Sequence, residues 1–348
     1  MPAHIPVEVE DITAPWLEDV LGARVSAIEV VDTHSGTTGR VCIKIHHNDE
    51  RLPASVFVKL APFDVDQRGF VDRTGMGVAE ARFYSEVAPD VPVRHPTPWY
   101  AAHDESGRYV MVLEDLNAAG ARFPGARDPR LPEFVENTID AFASLHAAFW
   151  ESGRFAPTGD LDWVVRRSAN YGSAADLIAY AVQQLGDRLP ETSRELADVY
   201  LSRVARIPAL LAAAPRTLVH GDTHLGNMFA DGATPGFLDW AMVGFAPGLR
   251  DVAYFLGGSV PTDLRRRNEH RLLERYCLAL GERGIALDAG DAWHQYRLQL
   301  LTSWVAAVVT AGMGSKWQPF ELGMTATKRA DAAIRDHGVA DLLREELP

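Results

Sequence analysis

The residues with the most evident chemical capacity lie in Leu218-Val219-His220-Gly221-Asp222-Thr223-His224-Leu225-Gly226-Asn227, followed at a short interval by Gly236-Phe237-Leu238-Asp239-Trp240. Asp222 stands five positions before Asn227, and Asp239 ends a short apolar run. A carboxylate, an amide and a second carboxylate in that order meet the needs of phosphoryl transfer. One carboxylate orients the attacking hydroxyl and takes its proton, while an amide oxygen and another carboxylate hold magnesium against the phosphates. Magnesium favours hard oxygen ligands and keeps several waters, so one Asn and one Asp from the protein suffice. A lone Asp with an Asn five residues on arises often by chance. Three polar groups in sequence between two short apolar strands form a much narrower pattern.

Other chemistries could use parts of this stretch. His220 and His224 are spaced so that a helix would place both imidazoles on one face, as for zinc. Gly221, Gly226 and the preceding strand predict a loop instead, and no H-E-x-x-H arrangement occurs. In a loop, His220 is expected to brace the backbone around Asp222. A Ser-His-Asp hydrolase would need a G-x-S-x-G elbow, which the chain lacks.

The offset from Asp222 to Asn227 equals that of the kinase catalytic loop H-R-D-x-x-x-x-N. The longer string His220-Gly221-Asp222-x-His224-x-x-Asn227, with Leu238-Asp239-Trp240 after it, resembles the aminoglycoside phosphotransferase family in the broad sense that includes choline, fructosamine and ecdysteroid kinases. The resemblance is strongest over residues 216–256 and weaker but ordered over 25–150. It implies an α+β, bilobal protein-kinase-like fold with ATP bound in the cleft between lobes. By the same match Asp222 corresponds to the catalytic base, Asn227 and Asp239 to the magnesium ligands, and Asp251 to a structural residue that steadies the catalytic loop.

The elements that must position these groups are legible in outline. Strands are predicted over 25–31, 41–46, 54–60 and 109–114, with a helix over 78–87 and a stretch broken by Pro89, Pro92, Pro96 and Pro98. Apolar residues near a period of 3.6 predict helices over 131–150, 174–185, 191–211, 264–280 and 292–311, interrupted by β-like pieces at 216–219 and 236–238. The expected division is a nucleotide-binding lobe over 1–115 and a helical lobe over 116–348 that carries the catalytic loop and acceptor site. A kinase also needs a strand Lys for the α/β-phosphates, held by a Glu from the next helix. Lys59, in Val56-Phe57-Val58-Lys59-Leu60, and Glu80 fit that order, with Glu86 a second candidate. The turn Ser35-Gly36-Thr37-Thr38-Gly39 stands where a phosphate-covering loop belongs, since its glycines permit close backbone approach. Tyr109 to Leu116 resembles the passage from strand to hinge, where backbone groups near Glu114 and Leu116 would pair with adenine.

Bulk properties restrict the partners. The 348 residues carry a net charge of -13, which argues against nucleic acid as a partner. The first ten residues have no basic n-region before an apolar run, and the apolar stretch 300–313 is shorter than the roughly 20 residues a spanning helix needs, so no membrane partner is expected. Two cysteines, Cys42 and Cys277, make no disulfide framework, which favours a reducing cytoplasm. No long activation segment or A-P-E motif separates Asp239 from Asp251, so protein substrates rank low. The reading that results is an ATP- and magnesium-dependent phosphotransferase acting on a small hydroxylated acceptor. A true aminoglycoside kinase, as in antibiotic resistance, and a catalytically inactive pseudokinase are the alternatives. The acidic balance leans towards a cationic acceptor, whereas aromatics such as Trp304, Trp317 and Phe320 lean towards a hydrophobic alcohol.

Overall fold

The computed structural model describes residues 4–170, 174–314 and 319–348. It separates into two compact units. The first holds the chain up to Arg122 together with Phe229–Gly232 and Gly236–Val243; the second holds Phe123–Met228, Ala233–Pro235 and Gly244–Pro348.

The first unit begins with helix α1 (Ala14–Leu21), which Thr13 caps by accepting the Trp16 N–H at 3.3 Å and which Gly22 ends in the left-handed region. Strands β1 (Ala27–Ser35), β2 (Gly39–His46) and β3 (Ser55–Leu60) follow, then helices α2 (Val65–Thr74) and α3 (Met76–Arg82), then β4 (Pro98–His103) and β5 (Tyr109–Glu114). The strands form one antiparallel sheet in the order β1-β2-β3-β5-β4. Side chains alternate across a strand. Val56, Val58 and Leu60 therefore join Val41, Ile43, Val110 and Val112 in a core closed by Trp16 and Leu17. Lys59 stands on the opposite face of β3 from these residues.

Two elements of the first unit depart from the sequence reading. The proline-rich stretch contains β4, with Pro98 at its first residue, where a missing N–H does least harm to a ladder. Helix α2 was not anticipated because Val-Asp-Gln-Arg-Gly-Phe-Val-Asp-Arg-Thr is polar and holds a glycine. Its ends supply what its interior lacks: Asp64 accepts the Gln67 N–H at 2.9 Å, and Gly75 adopts φ 62° at the C-terminus.

Helix α3 lies close to β5 because its inner face is made of small residues. A Cβ at Gly77 would stand 2.0 Å from the buried Tyr109 ring. Gly77→Ala is accordingly expected to cost about 1–3 kcal/mol, read as a lower urea midpoint, because the ring or the helix must move.

The second unit is mainly helical. It contains α4 (Leu131–Phe149), α5 (Asp162–Asn170), α6 (Ala175–Leu185), α7 (Glu191–Arg203) and α8 (Ile207–Leu211). Strand β6 (Arg216–Val219) comes next and pairs antiparallel with β9 (Gly244–Pro247); of the ribbon between them in sequence, β7 (Met228–Asp231) and β8 (Thr234–Phe237), residues Phe229–Asp231 and Gly236–Phe237 belong to the first unit. Helices α9 (Leu249–Tyr254), α10 (Thr262–Gly281), α11 (Ala289–Gly312), α12 (Phe320–Asp336) and α13 (Val339–Glu346) complete the unit. The single helix expected over 191–211 is two, because Pro208 cannot continue a helix and instead sits in the first turn of α8. Trp304 is fully buried on α11, so it serves as core. Trp317 lies outside the described residues. Among the described residues no helix is long and apolar enough to cross a membrane, and Cys42 and Cys277 are both free.

Candidate active site

In the first unit, β3 and α3 present a buried ion pair. The Lys59 ammonium donates to both carboxylate oxygens of Glu80, at 2.7 and 2.6 Å. Lys59 is 4% exposed and Glu80 fully buried. Burial pushes the Glu80 carboxyl up to about 7, against the pull of the Lys59 charge. Glu86, by contrast, pairs with Arg82 on the surface of the same helical segment.

Asp239 completes this cluster, with its Oδ1 3.5 Å from Lys59 Nζ and its Oδ2 3.7 Å from Arg40. The residue has φ 63°, a left-handed conformation that Asp tolerates better than most side chains but that still needs external support. Trp240 supplies it. The indole is fully buried, stacks on Phe83 at 4.0 Å and 7°, and donates to the Phe237 carbonyl at 3.2 Å. The segment is also fastened by Arg94, whose carbonyl accepts the Phe237 N–H at 2.8 Å and whose guanidinium donates to Asp231 and Glu114. In the sequence Arg40 only closes the Ser35–Gly39 turn, with no role of its own; its position opposite Lys59 in the β2–β3 register is the signal that could have given it one.

The turn expected to cover phosphates joins β1 to β2. Gly36 N–H donates to the Thr38 carbonyl at 3.1 Å, and Ser35 Oγ accepts the Phe63 N–H at 3.0 Å. Thr38 is buried and accepts from Arg40 at 3.3 Å. Gly39 is required for packing, since a Cβ there would lie 2.5 Å from the Ala61 carbonyl. Thr37 lies in the same turn. At the end of β5, the Glu114 carboxylate accepts from Arg94 and from the Thr97 N–H. Its own N–H donates to the Thr97 carbonyl, and the Leu116 carbonyl accepts the Ala121 N–H, both at 2.9 Å. Backbone groups left to face a base at these positions exclude those two.

In the second unit, the loop after β6 is built around Asp222. Tyr254 donates to Asp222 Oδ1 at 2.6 Å, and Asn227 Nδ2 donates to Oδ2 at 2.9 Å and to the Asp222 carbonyl at 3.0 Å. His224 Nε2 lies 3.5 Å from Oδ2, and the Asp222 N–H donates to His220 Nδ1 at 3.2 Å. Burial alone would raise the Asp222 carboxyl. The charge and hydrogen bond of His224, the Tyr254 hydroxyl and the His220 charge outweigh it and hold the group well below the usual carboxylate range. With its nitrogen committed to Asp222, Asn227 keeps its amide oxygen as a hard donor. Tyr254 was missed in the sequence, although its place three residues after Asp251 on one helix puts both on one face.

Asp251 holds the loop from beneath. It is fully buried, and its oxygens accept the His220 N–H at 2.7 Å and the Gly221 N–H at 2.9 Å. His146 Nε2 lies 3.4 Å from the same carboxylate, while its Nδ1 shares a hydrogen bond with the Tyr276 hydroxyl at 2.8 Å. Thr223 Oγ1 donates to the Asp251 carbonyl at 2.8 Å, and Gly221 takes φ 84°. That turn needs glycine's freedom.

The phosphotransferase enzyme family matches the sequence over residues 53–298, more than half of the chain. No curated protein matches it. Three solved structures are similar across most of its length. A choline kinase from Cryptosporidium parvum has a TM-score of 0.57 at 10% identity, covering 92% of each chain. An ethanolamine kinase from Plasmodium vivax has a TM-score of 0.53 at 13% identity, covering 92% of this chain and 84% of that one. The GDP complex of wild-type aminoglycoside 2'-phosphotransferase-IIIa has a TM-score of 0.53 at 12% identity, covering 91% and 96%. At these identities the likeness establishes the fold, an α+β, two-lobed protein-kinase-like fold. With a family match that runs from β3 through the loop at Asp222 and the turn at Asp239, the chain belongs to the phosphotransferase enzyme family.

Proposed function

We propose that the protein transfers the γ-phosphoryl group of ATP to a hydroxyl of a small molecule, in a magnesium-dependent reaction. The observation that carries this reading is the buried Lys59–Glu80 pair with the Asp239 carboxylate 3.5 Å from the ammonium. An ammonium fixed by a carboxylate is an anion-binding group held in one place, suited to α/β-phosphate oxygens. The solved relatives act on choline, ethanolamine or aminoglycosides by name, and one was solved with GDP, which supports a small-molecule acceptor and a nucleotide co-substrate.

The Asp239 carboxylate and the Asn227 amide oxygen are each a hard oxygen of the kind magnesium takes, and Asp239 remains 19% exposed. When bound, the ion would neutralise charge on the phosphate oxygens. The chain's own groups do the rest. Asp222 accepts a hydrogen bond from the acceptor hydroxyl and aims its oxygen at the γ-phosphorus. The new O–P bond forms as the bond to the ADP oxygen breaks, and the hydroxyl proton passes to Asp222. Tyr254 and Asn227 hold that carboxylate in one orientation, and positioning of this kind supplies most of the catalysis when the transition state is loose.

Magnesium-dependent ADP formation across aminoglycosides, amino alcohols, sugars and lipophilic alcohols tests the reading. Acceptor-dependent turnover supports it, and absence of both turnover and magnesium-ATP binding would refute it. Asp239→Asn is expected to raise the magnesium concentration for half-maximal turnover by about 10-fold or more, since a charged ligand becomes neutral. An unchanged magnesium titration would remove Asp239 from the ligand set.

A further inference from the structure

Arg329 lies on α12, half-buried, and its Nη1 donates to the Ser259 carbonyl at 2.9 Å. Ser259 in turn touches the loop, because its Oγ accepts the Leu225 N–H at 3.1 Å. Leu225 is three residues from Asp222, at most about 11 Å along the chain. Among the described residues Arg329 forms no ion pair. Some arginines of this unit are matched by carboxylates, as Arg265 is by Glu269 and Asp336 and Arg275 by Glu136 and Asp140, whereas Arg297, like Arg329, donates to a backbone carbonyl, that of His337. A guanidinium taken partly out of water and given one neutral carbonyl has lost hydration without a compensating charge. Burial accordingly pulls Arg329 below the usual arginine value.

A second cation lies by the same loop. Arg250 precedes Tyr254 by one helical turn on α9, and its Nε is buried with no hydrogen-bond partner among the described residues. Its charge is felt by the Tyr254 hydroxyl that donates to Asp222. In a chain of net charge -13, two arginines beside one loop that form no ion pair among the described residues are chemically expensive features. Their chemistry matches oxyanions, which a guanidinium binds through paired N–H donors.

We propose that the acceptor of this phosphotransferase carries an anionic group, a carboxylate or a phosphate, received by Arg329 with Arg250 adding to the positive field beside the loop. The inference rests on the phosphotransferase reading and goes beyond it by assigning the charge of the substrate. It runs opposite to the cationic acceptors, choline and ethanolamine, for which two of the structural relatives are named.

The test compares wild type, Arg329→Gln and Arg329→Lys with hydroxycarboxylates, alcohol phosphates, neutral polyols and amino alcohols, measuring magnesium-dependent ADP formation. The anionic acceptors are expected to turn over best, and the hydroxycarboxylate and alcohol-phosphate sets separate the two anions. Arg329→Gln should raise KM for the anionic acceptor by about 10- to 100-fold and leave KM for ATP within twofold, with Arg329→Lys recovering part of the loss. Turnover confined to neutral or cationic acceptors overturns the inference while leaving the phosphotransferase reading intact. If no compound turns over, the same compounds are titrated by calorimetry into protein saturated with magnesium and a non-hydrolysable ATP analogue. Anion binding weakened in Arg329→Gln supports the inference. Absence of any anion-dependent difference between wild type and Arg329→Gln overturns it.

Discussion

Replacing Asp222 with Asn is expected to lower kcat by about 100- to 10,000-fold while KM for the nucleotide stays within a few-fold. The substitution keeps the size of the side chain, so Tyr254 can still donate to an oxygen at that position. It removes the negative charge that accepts the hydroxyl proton, and it sets the new amide nitrogen against Asn227 Nδ2 or the Tyr254 hydroxyl, both of which now donate to the carboxylate. Ground-state nucleotide binding is assigned to Lys59, Glu80 and Asp239, which belong to the first unit, while Asp222 belongs to the second. Equal loss of turnover and nucleotide affinity would therefore contradict the role given to Asp222.

The pH behaviour follows from the same contacts. The Asp222 carboxyl is held well below its ordinary value, so it remains ionised throughout the neutral range. Between pH 5 and 8, kcat/KM should show no acid limb from this group. A group so depressed is a weak base, which suits a carboxylate that orients a hydroxyl and takes the proton late. An acid limb near neutrality that vanishes in the Asn variant would show the carboxyl to be raised instead.

Asp251→Ala is the substitution with the largest expected effect on stability, about 2–5 kcal/mol. It strips the acceptor from two buried backbone donors, the His220 and Gly221 N–H groups, and removes the charge next to His146. Each orphaned buried donor costs roughly 1–3 kcal/mol. Turnover should fall as well, because His220 and Gly221 lead directly into Asp222. Burial acts to raise the Asp251 carboxyl, but the hydrogen bond and charge of His146, the His220 charge and the Gly221 N–H bring it below the ordinary aspartate value. A depressed folded pKa means that this stabilisation is present above that value and is lost as pH falls through the folded one. Unfolding in urea at pH 7 measures the first effect, and the difference between the two proteins should narrow at pH 2–3.

What the sequence disclosed and what it concealed divide on physical lines. Lys59, Glu80, Asp222, Asn227 and Asp239 stand out because their chemistry is carried by residue type and order along the chain. Strands β2, β3 and β5 are legible for a related reason, since alternating or continuous apolar runs commit them to a buried face. Strand β4 is hidden by its prolines, and α2 by a polar sequence whose helix is defined at its ends by Asp64 and Gly75. Residues that act through tertiary contact were invisible. Tyr254 reaches Asp222 from 32 residues away, and Arg329 reaches Ser259 from 70. Arg40 became meaningful only once the β2–β3 register set it opposite Lys59.

The central claim is that a phosphoryl group moves from nucleotide to a hydroxyl through Asp222. Phosphorus NMR of protein, magnesium-ATP and acceptor, wild type beside Asp222→Asn, tests it most directly. A phosphate monoester resonance that grows with ADP in the wild type and is absent from the variant over the same period is the predicted result. ATP converted only to ADP and inorganic phosphate, or an ester formed equally by both proteins, would contradict it.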